Sequence, residues 1–448
     1  MPPCDHLAEE EYRLIFVQSR SRTVWIDRDA NGPRLPRIAV QKWGRPAAQL
    51  QEAMEAAWNI RVILLAFLPC TQNSIPCAVA EIMTSEPHTF LTATATDEIP
   101  EWELDLEERK ALGAILASDG SVLGPFSRVG WIGEAIHWLR TELGPDVSFL
   151  DEIRQYNASG RFALVRFGTQ GGRVCWLKAT GEPNAHEYHV TRKLAGLSPE
   201  FLPPQIAVRE DWNAWLMEDA GQPRDSVDLP SLDQAVLSMA ALQQRTIGQS
   251  TELLAAGAFD QRMQILRDNL AEILEYLVEA MSMQTSARVP RIGEERLRQV
   301  EGILRDACSR MEELDIPDTV IHNDINSGNI LYAGTRCVFT DWCEAGVGNP
   351  FFTFQYLTKL QSDGEAVWTP KLQETYKRSW LGILKEFQIE RAFTLTPLLA
   401  IFSYLFGRGT WLHSAQRHDP NTQSHARSLA RHMERAARAP DLVEAICR

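Results

Sequence analysis

The chain has 448 residues and carries 45 Lys plus Arg against 59 Asp plus Glu, a formal charge of −14. At roughly 100 to 200 residues per domain that length supplies two or three domains. The 23% charged and 44% hydrophobic fractions exclude wholesale disorder and a collagen-like architecture, and the acidic balance argues against a protein that coats nucleic acid or an anionic membrane.

The opening residues Met1-Pro2-Pro3-Cys4-Asp5-His6 contain neither a basic n-region nor an apolar h-region, and the longest apolar run, residues 62–68, is too short to span a bilayer. A soluble, cytoplasmic protein with no membrane partner is expected. Eight cysteines (Cys4, Cys70, Cys77, Cys175, Cys308, Cys337, Cys343, Cys447) include no C-x-x-C pair, which fits reduced core thiols better than a disulfide frame or a zinc site.

Short apolar runs at residues 12–17, 23–26 and 38–40 precede a helical stretch at 47–57. Strand-like runs at 60–68 and 77–83 and a Trp-bearing helix at 131–143 complete a small α+β domain, expected to cover residues 1–145 and to end at Gly144-Pro145-Asp146. Its strand, helix, strand order is loosely similar to a Nudix fold. The stretch Gln51-Glu52-Ala53-Met54-Glu55-Ala56-Ala57-Trp58 lacks the R-E-x-x-E-E carboxylates of the Nudix box, so any such domain is degenerate. Trp102, Trp131 and Trp138 either line a pocket or belong to the core.

A β-rich segment follows, expected at residues 146–221. Strands at 162–167 and 173–178 are joined across Gly168-Thr169-Gln170-Gly171-Gly172, and a third lies at 214–217. Helices then dominate residues 222–448. Ser231-Leu232-Asp233-Gln234 reads as a capping box, and apolar stripes run through Met263, Leu266, Leu270, Ile273 and Leu277, then Leu297, Val300, Leu304 and Met311. Near the C-terminus, Arg427, Arg431, Arg435 and Arg438 form a basic stripe that is either a solvated helix face or a binder of phosphates.

Chemistry concentrates in Val320-Ile321-His322-Asn323-Asp324-Ile325-Asn326-Ser327-Gly328-Asn329-Ile330-Leu331-Tyr332, followed by Ala333-Gly334-Thr335 and Arg336-Cys337-Val338-Phe339-Thr340-Asp341-Trp342. A turn at Gly334 joins two short strands, so Asn329, entering the first, and Asp341, leaving the second, meet at the open end of a hairpin. Asp324, five residues before Asn329, is carried to the same place. Two carboxylates and an amide around one point suit a hard cation such as Mg2+. The H-x-D-x-x-x-x-N spacing with a second Asp is also the layout in which one Asp orients and deprotonates an acceptor hydroxyl while Asn and the other Asp hold metal. The bland alternative is a polar loop whose Asp and Asn cap turns.

On these residues the sequence resembles the aminoglycoside phosphotransferase and choline kinase family. The family's H-G-D-x-x-x-x-N-I/V-L is matched by His322, Asp324, Gly328, Asn329, Ile330 and Leu331, and its D-W-x-x-A-x-x-G-D-P by Asp341, Trp342, Ala345, Gly348 and Pro350. Asn323 replaces the usual Gly, and Asn349 the usual Asp of G-D-P. The resemblance implies a bilobal protein-kinase-like α+β fold, with a nucleotide-binding lobe followed by a helical lobe. It implies ATP (or GTP) and Mg2+ as cofactors and a small-molecule hydroxyl as acceptor, with no nucleic acid partner. Asp324 would be catalytic, Asn329 and Asp341 metal ligands, and His322 and Trp342 structural. Lys178 would neutralise the α- and β-phosphates with Glu187 as its ion-pair partner. Ser159 and Gly160 would cover the phosphates, and Met217, Glu218 and Asp219 would form the hinge that holds the base. An acidic protein suits a cationic acceptor such as an aminoglycoside or choline. The competing expectation is a kinase-like sensor that binds nucleotide without turnover.

Overall fold

The computed structural model describes residues 8–18, 24–29, 32–42, 44–69, 74–83, 91–144, 149–224, 226–361, 366–407 and 415–447. Cys4, Cys70 and the expected boundary residues Pro145 and Asp146 lie outside them. The fold is α+β and divides into two compact units, Met1–Ala185 with Pro204–Asp219, and His186–Pro203 with Ala220–Arg448.

The first unit opens with β1 (Glu9–Gln18), β2 (Val24–Asp29), β3 (Gly32–Arg34), β4 (Arg37–Gln41), α1 (Pro46–Trp58), β5 (Val62–Phe67), β6 (Cys77–Ile82) and β7 (Leu91–Thr94), then α2 (Leu106–Ala117) and α3 (Trp131–Leu143). The seven strands form one sheet in the order β3-β2-β1-β6-β5, with β4 added to β1 and β7 to β2, and β1 running parallel to β6. Residues 14–17 read as continuously apolar because both faces of β1 are covered. Leu14 and Phe16 pack with Leu50 and Met54 of α1, while Ile15 and Val17 join a second cluster with Leu112, Trp131 and Leu139.

That second cluster continues through a five-stranded antiparallel sheet, ordered β11-β12-β10-β9-β8, of β8 (Phe149–Ala158), β9 (Ala163–Thr169), β10 (Val174–Ala179), β11 (Gln205–Arg209) and β12 (Ala214–Glu218). Val165, Phe167, Cys175, Leu177 and Leu216 are its buried face. Two glutamines stitch the sheets together. Gln51 donates to the Val62 carbonyl at 2.7 Å and accepts from the Gln155 N–H at 2.7 Å. Gln155 in turn brackets the backbone of Leu64, at 2.8 Å to its N–H and 2.9 Å to its carbonyl. Packing therefore crosses the expected limit at residue 145. Gln51, at the start of the stretch compared with the Nudix box, is a buried amide crosslink. Trp131 is core, packed edge-on to Phe126 with centroids 5.2 Å apart, whereas Trp102 is exposed and Trp138 lines a cleft with Glu134, His137 and Arg209.

The second unit contains α4 (Glu187–Leu197), expected in the β-rich segment, and α5 (Leu229–Arg245), α6 (Ser250–Ala255), β13 (Phe259–Gln261), α7 (Met263–Asp268), α8 (Leu270–Ser282) and α9 (Glu294–Glu312). After β14 (Thr319–His322), β15 (Ile330–Ala333), β16 (Arg336–Phe339) and β17 (Ala345–Gly348) come α10 (Phe351–Leu357), α11 (Thr369–Trp380), α12 (Glu386–Phe406), α13 (Pro420–Ala436) and α14 (Pro440–Cys447). The N-cap of α5 is Asp228, which accepts from the Ser231 N–H at 2.9 Å, so the helix starts one turn before the expected capping box. The stripe from Met263 to Leu277 is broken at Asn269 into α7 and α8. By length and composition α12 could cross a membrane, which the run at residues 62–68 did not reveal. Its Ile389, Leu395, Leu398, Leu399 and Phe402 are buried in the unit's core, so it is a core helix.

Removing residues 1–148 would strip the first unit of the partners for Val165, Phe167, Cys175, Leu177 and Leu216. At about 1.5–3 kcal/mol for each large buried side chain, the truncated chain is expected to express insolubly; a soluble, monomeric product would overturn the shared core. A second test concerns Asp318, whose carboxyl burial pushes up to about 6, against the pull of Arg262. The folded state then holds this proton where the unfolded chain has lost it, so stability falls as pH rises from about 4 to about 6. Asp318→Asn is expected to raise the unfolding free energy at pH 7.5 by on the order of 2 kcal/mol relative to its effect at pH 4, measured by denaturant titration at both.

Candidate active site

Strand β14 delivers the motif. It pairs antiparallel with β17, His322 opposite Ala345, and β17 pairs parallel with β13, Phe259 opposite Gly346. Both glycines of β17 are dictated by this contact. A Cβ on Gly346 would lie 2.0 Å from Gln261 Oε1, and one on Gly348 would lie 2.6 Å from the Gln261 carbonyl oxygen.

Strands β15 and β16 form the hairpin, Ile330 opposite Phe339 and Ala333 opposite Arg336, with Gly334 turning at φ +65°. The Thr340 N–H donates to the Asn329 carbonyl at 3.0 Å, closing the open end where Asn329 and Asp341 sit. Asn329 is buried, and its Nδ2 donates to the Asp324 carbonyl at 2.8 Å and to Asp324 Oδ2 at 3.2 Å. Asn326 adds donors to the Asp324 carbonyl at 3.2 Å and to Oδ1 at 3.3 Å, while its own Oδ1 accepts from the Gly328 N–H at 2.9 Å.

Asp341 has φ +64°, the left-handed region that a non-glycine residue occupies at a cost. Its neighbours hold it there. His322, almost wholly buried, donates from Nε2 to the Thr340 carbonyl at 2.9 Å, and its ring lies 4.5 Å from that of Trp342. The Trp342 N–H donates to Glu187 Oε1 at 3.1 Å, and its indole N–H to the Phe339 carbonyl at 3.2 Å.

Glu187 thus reaches the same loop from α4. Oxygens of Glu187 and Asp341 and the Cys343 sulfur lie within 4.8 Å of one another, so Cys343 has two potential co-ligands that the sequence did not reveal. Because Asn329 spends Nδ2 on Asp324, its Oδ1 is the atom left to face a cation. The Asn329 and Asp341 oxygens fit a hard ion such as Mg2+; the Cys343 thiol would add affinity for a softer one.

Asn323, at the position where the resemblance expects glycine, is buried and braces the loop. Its Nδ2 donates to Gln261 Oε1 at 2.7 Å and to the Glu344 carbonyl at 2.8 Å, tying the Asp324 loop to the turn after Asp341. Local periodicity gave no signal for this, since both partners are distant in sequence.

The remaining expected residues belong to the first unit. Lys178 stands on β10 opposite Trp215, with Nζ 5.9 Å from the Trp215 ring centre. Lys178 and Glu187 belong to different units. The turn after β8 is packed rather than open. The Gly160 carbonyl accepts from the Phe126 N–H at 3.1 Å, and a Cβ there would lie 1.8 Å from the Leu123 carbonyl oxygen, so contact with residues 123–126 demands this glycine. Ser159 Oγ accepts from the Phe162 N–H at 3.2 Å. At the end of β12, Met217 lies opposite Trp176, Glu218 pairs with Arg173 at 2.6 Å, and Asp219 Oδ1 accepts from the Trp176 indole N–H at 2.8 Å.

No protein-family model and no curated protein matches the chain. Among solved structures it is similar to a macrolide 2'-phosphotransferase from Brachybacterium faecium, at 14% identity and TM-score 0.43, over 66% of this chain and 96% of that one. A choline/ethanolamine kinase family protein from Mesorhizobium loti matches at 14% identity and TM-score 0.43, over 70% and 98%. An ethanolamine kinase from Plasmodium vivax matches at 13% identity and TM-score 0.43, over 78% and 98%.

Asn323→Gly should leave the Gln261 side-chain oxygen and the Glu344 carbonyl without this donor in a dry environment. The expected loss is about 1–3 kcal/mol of unfolding free energy, read from denaturant midpoints; an unchanged midpoint would show that the brace carries no load.

Proposed function

We propose that the chain is a Mg2+- and ATP- (or GTP-) dependent phosphotransferase of protein-kinase-like fold acting on a hydroxyl of a small molecule, working in the cytoplasm. The observation that carries this reading is the hairpin closure between Thr340 and Asn329, which sets Asn329 beside Asp341 and binds Asp324 to Asn329 through one amide. Asp324 is assigned to orient the acceptor hydroxyl and take its proton. Asn329 and Asp341 would hold Mg2+, which when bound offsets charge on the transferring phosphate. Lys178 of the first unit is assigned to the nucleotide phosphates, with Glu187 as its partner, and residues 217–219 to the base. Positioning and charge neutralisation supply most of the rate in such a site. The buried free thiols of Cys77, Cys175, Cys308, Cys337 and Cys343 suit a reducing compartment. For the first 145 residues the loose Nudix likeness brings no hydrolytic chemistry, because residues 51–58 lack the R-E-x-x-E-E carboxylates.

One observation favours a second reading, a sensor that binds nucleotide without turnover. Gly160, assigned to cover phosphate, is engaged instead by residues 123–126.

The two readings separate on paired variants. Asp324→Asn keeps the shape but loses the base, so transfer to a panel of sugars, amino alcohols and aminoglycosides is expected to fall roughly a hundredfold to ten-thousandfold, with Mg-nucleotide affinity nearly unchanged. Lys178→Ala should damage both turnover and affinity, and Asp341→Asn should abolish the Mg2+-dependent thermal shift given by nucleotide. Full activity in Asp324→Asn, or tight Mg-nucleotide binding without transfer to any acceptor, would replace the enzyme by the sensor.

A further inference from the structure

The basic stripe near the C-terminus is not a simple solvated face. Helix α13 sets Arg431 and Arg435 on one wall of a cleft of about 730 Å³, Arg438 follows the helix, and Arg291 and Arg296 stand on the opposite wall. Five guanidinium groups therefore share one cleft in a chain whose net charge is −14. A single carboxylate, Glu434, faces them, and it is already engaged by Arg296 at 3.0 Å and Arg438 at 2.5 Å.

The other groups are differently occupied. Arg291 donates to the Ser282 carbonyl at 2.9 Å and the Gln284 carbonyl at 3.2 Å, which fixes the far wall. Arg431 donates to Gln284 Oε1 from one terminal nitrogen, but its Nε–H is buried with no acceptor. A buried donor without a partner costs stability unless something fills its place. Burial and neighbouring Arg427 also press the Arg431 guanidinium below its ordinary value. Arg435 is exposed and makes no hydrogen bond or ion pair among the described residues. Burial, with nearby Arg435, also holds the His432 imidazole below its ordinary range.

We propose that this cleft binds a small anion bearing two or more phosphate groups, with the guanidinium groups of Arg435 and Arg431 as principal donors. Excess positive charge after Glu434 is counted calls for more than one anionic group, and guanidinium forks match phosphate oxygens in pairs. The volume suits a small molecule. Concave walls favour such a ligand over a flat membrane, and Val289 and Ile292 on the rim offer apolar contact to a non-phosphate portion. This site lies wholly within the second unit and does not depend on the phosphotransfer reading.

Inorganic tripolyphosphate is the probe, titrated calorimetrically into the full chain in EDTA, with NaCl of matched ionic strength as control. Saturable one-to-one binding is expected, weakened at least tenfold in Arg435→Ala and in Arg431→Gln and unchanged in Asp341→Asn. Arg435→Ala should keep the wild-type melting temperature, since its side chain holds nothing in place. The proposal is overturned by heat no greater than that of NaCl, or by binding that Arg435→Ala leaves intact. It is equally overturned if a single-stranded RNA oligomer or phosphatidylserine vesicles bind more tightly than tripolyphosphate and lose that binding in Arg435→Ala, because the face would then serve a macromolecule.

Discussion

Everything at the candidate active site depends on holding Asp341 in a left-handed backbone conformation. For a residue with a Cβ that conformation costs roughly 1–2 kcal/mol, and three hydrogen bonds on the two adjacent residues offset it. Thr340 is held on both sides, its N–H by the Asn329 carbonyl and its carbonyl by His322. Trp342 is held through its N–H by Glu187. The conformation turns the chain out of β16 at the point where the Asp341 carboxylate lies within 4.8 Å of Glu187 and Cys343. His322 and Trp342 therefore act together, because their packed rings and buried hydrogen bonds keep the peptide units around Asp341 from relaxing.

Glu187 shows how one carboxylate can serve structure and chemistry together. One oxygen accepts the Trp342 N–H, and the group also lies within 4.8 Å of Asp341 and Cys343. Two acidic groups this close repel one another, and a bound cation relieves that repulsion. A thiol in the same cluster gives the loop a softer side than an all-oxygen site would have.

The hairpin was legible in the sequence because its determinants are local: two short apolar runs, a glycine that takes φ +65°, and fixed spacings that bring chain ends together. The strand expected at residues 173–178, found as Val174–Ala179, was legible for the same reason. Contacts between distant segments were not. Asn323 reaches Gln261 across 62 positions, and Gln51 reaches Gln155 across 104; neither pair leaves a periodic trace, and an amide in a helix reads as surface until its partner is known. Asp228 displaced the expected cap for a subtler reason, since Ser231, which mimics an N-cap, is the residue whose N–H is capped.

Gly160 and the arginine cleft carry a common lesson about reading single features. A glycine at a strand turn is compatible with a ligand's close approach and with a neighbouring backbone's close approach, and sequence cannot tell these apart. At Gly160 the backbone won, because residues 123–126 occupy the space in which a side chain would lie. For the arginines, helical spacing alone suggested a solvated face. Spacing describes one wall only; the opposite wall, with Arg291 and Arg296, comes from more than a hundred positions upstream. Charges that would be screened and separated on an isolated helix are concentrated in one concave space, where water screens them less. A chain that is acidic as a whole can therefore present a locally cationic cleft, and its net charge of −14 forecasts neither the sign nor the strength of the field that a ligand meets there.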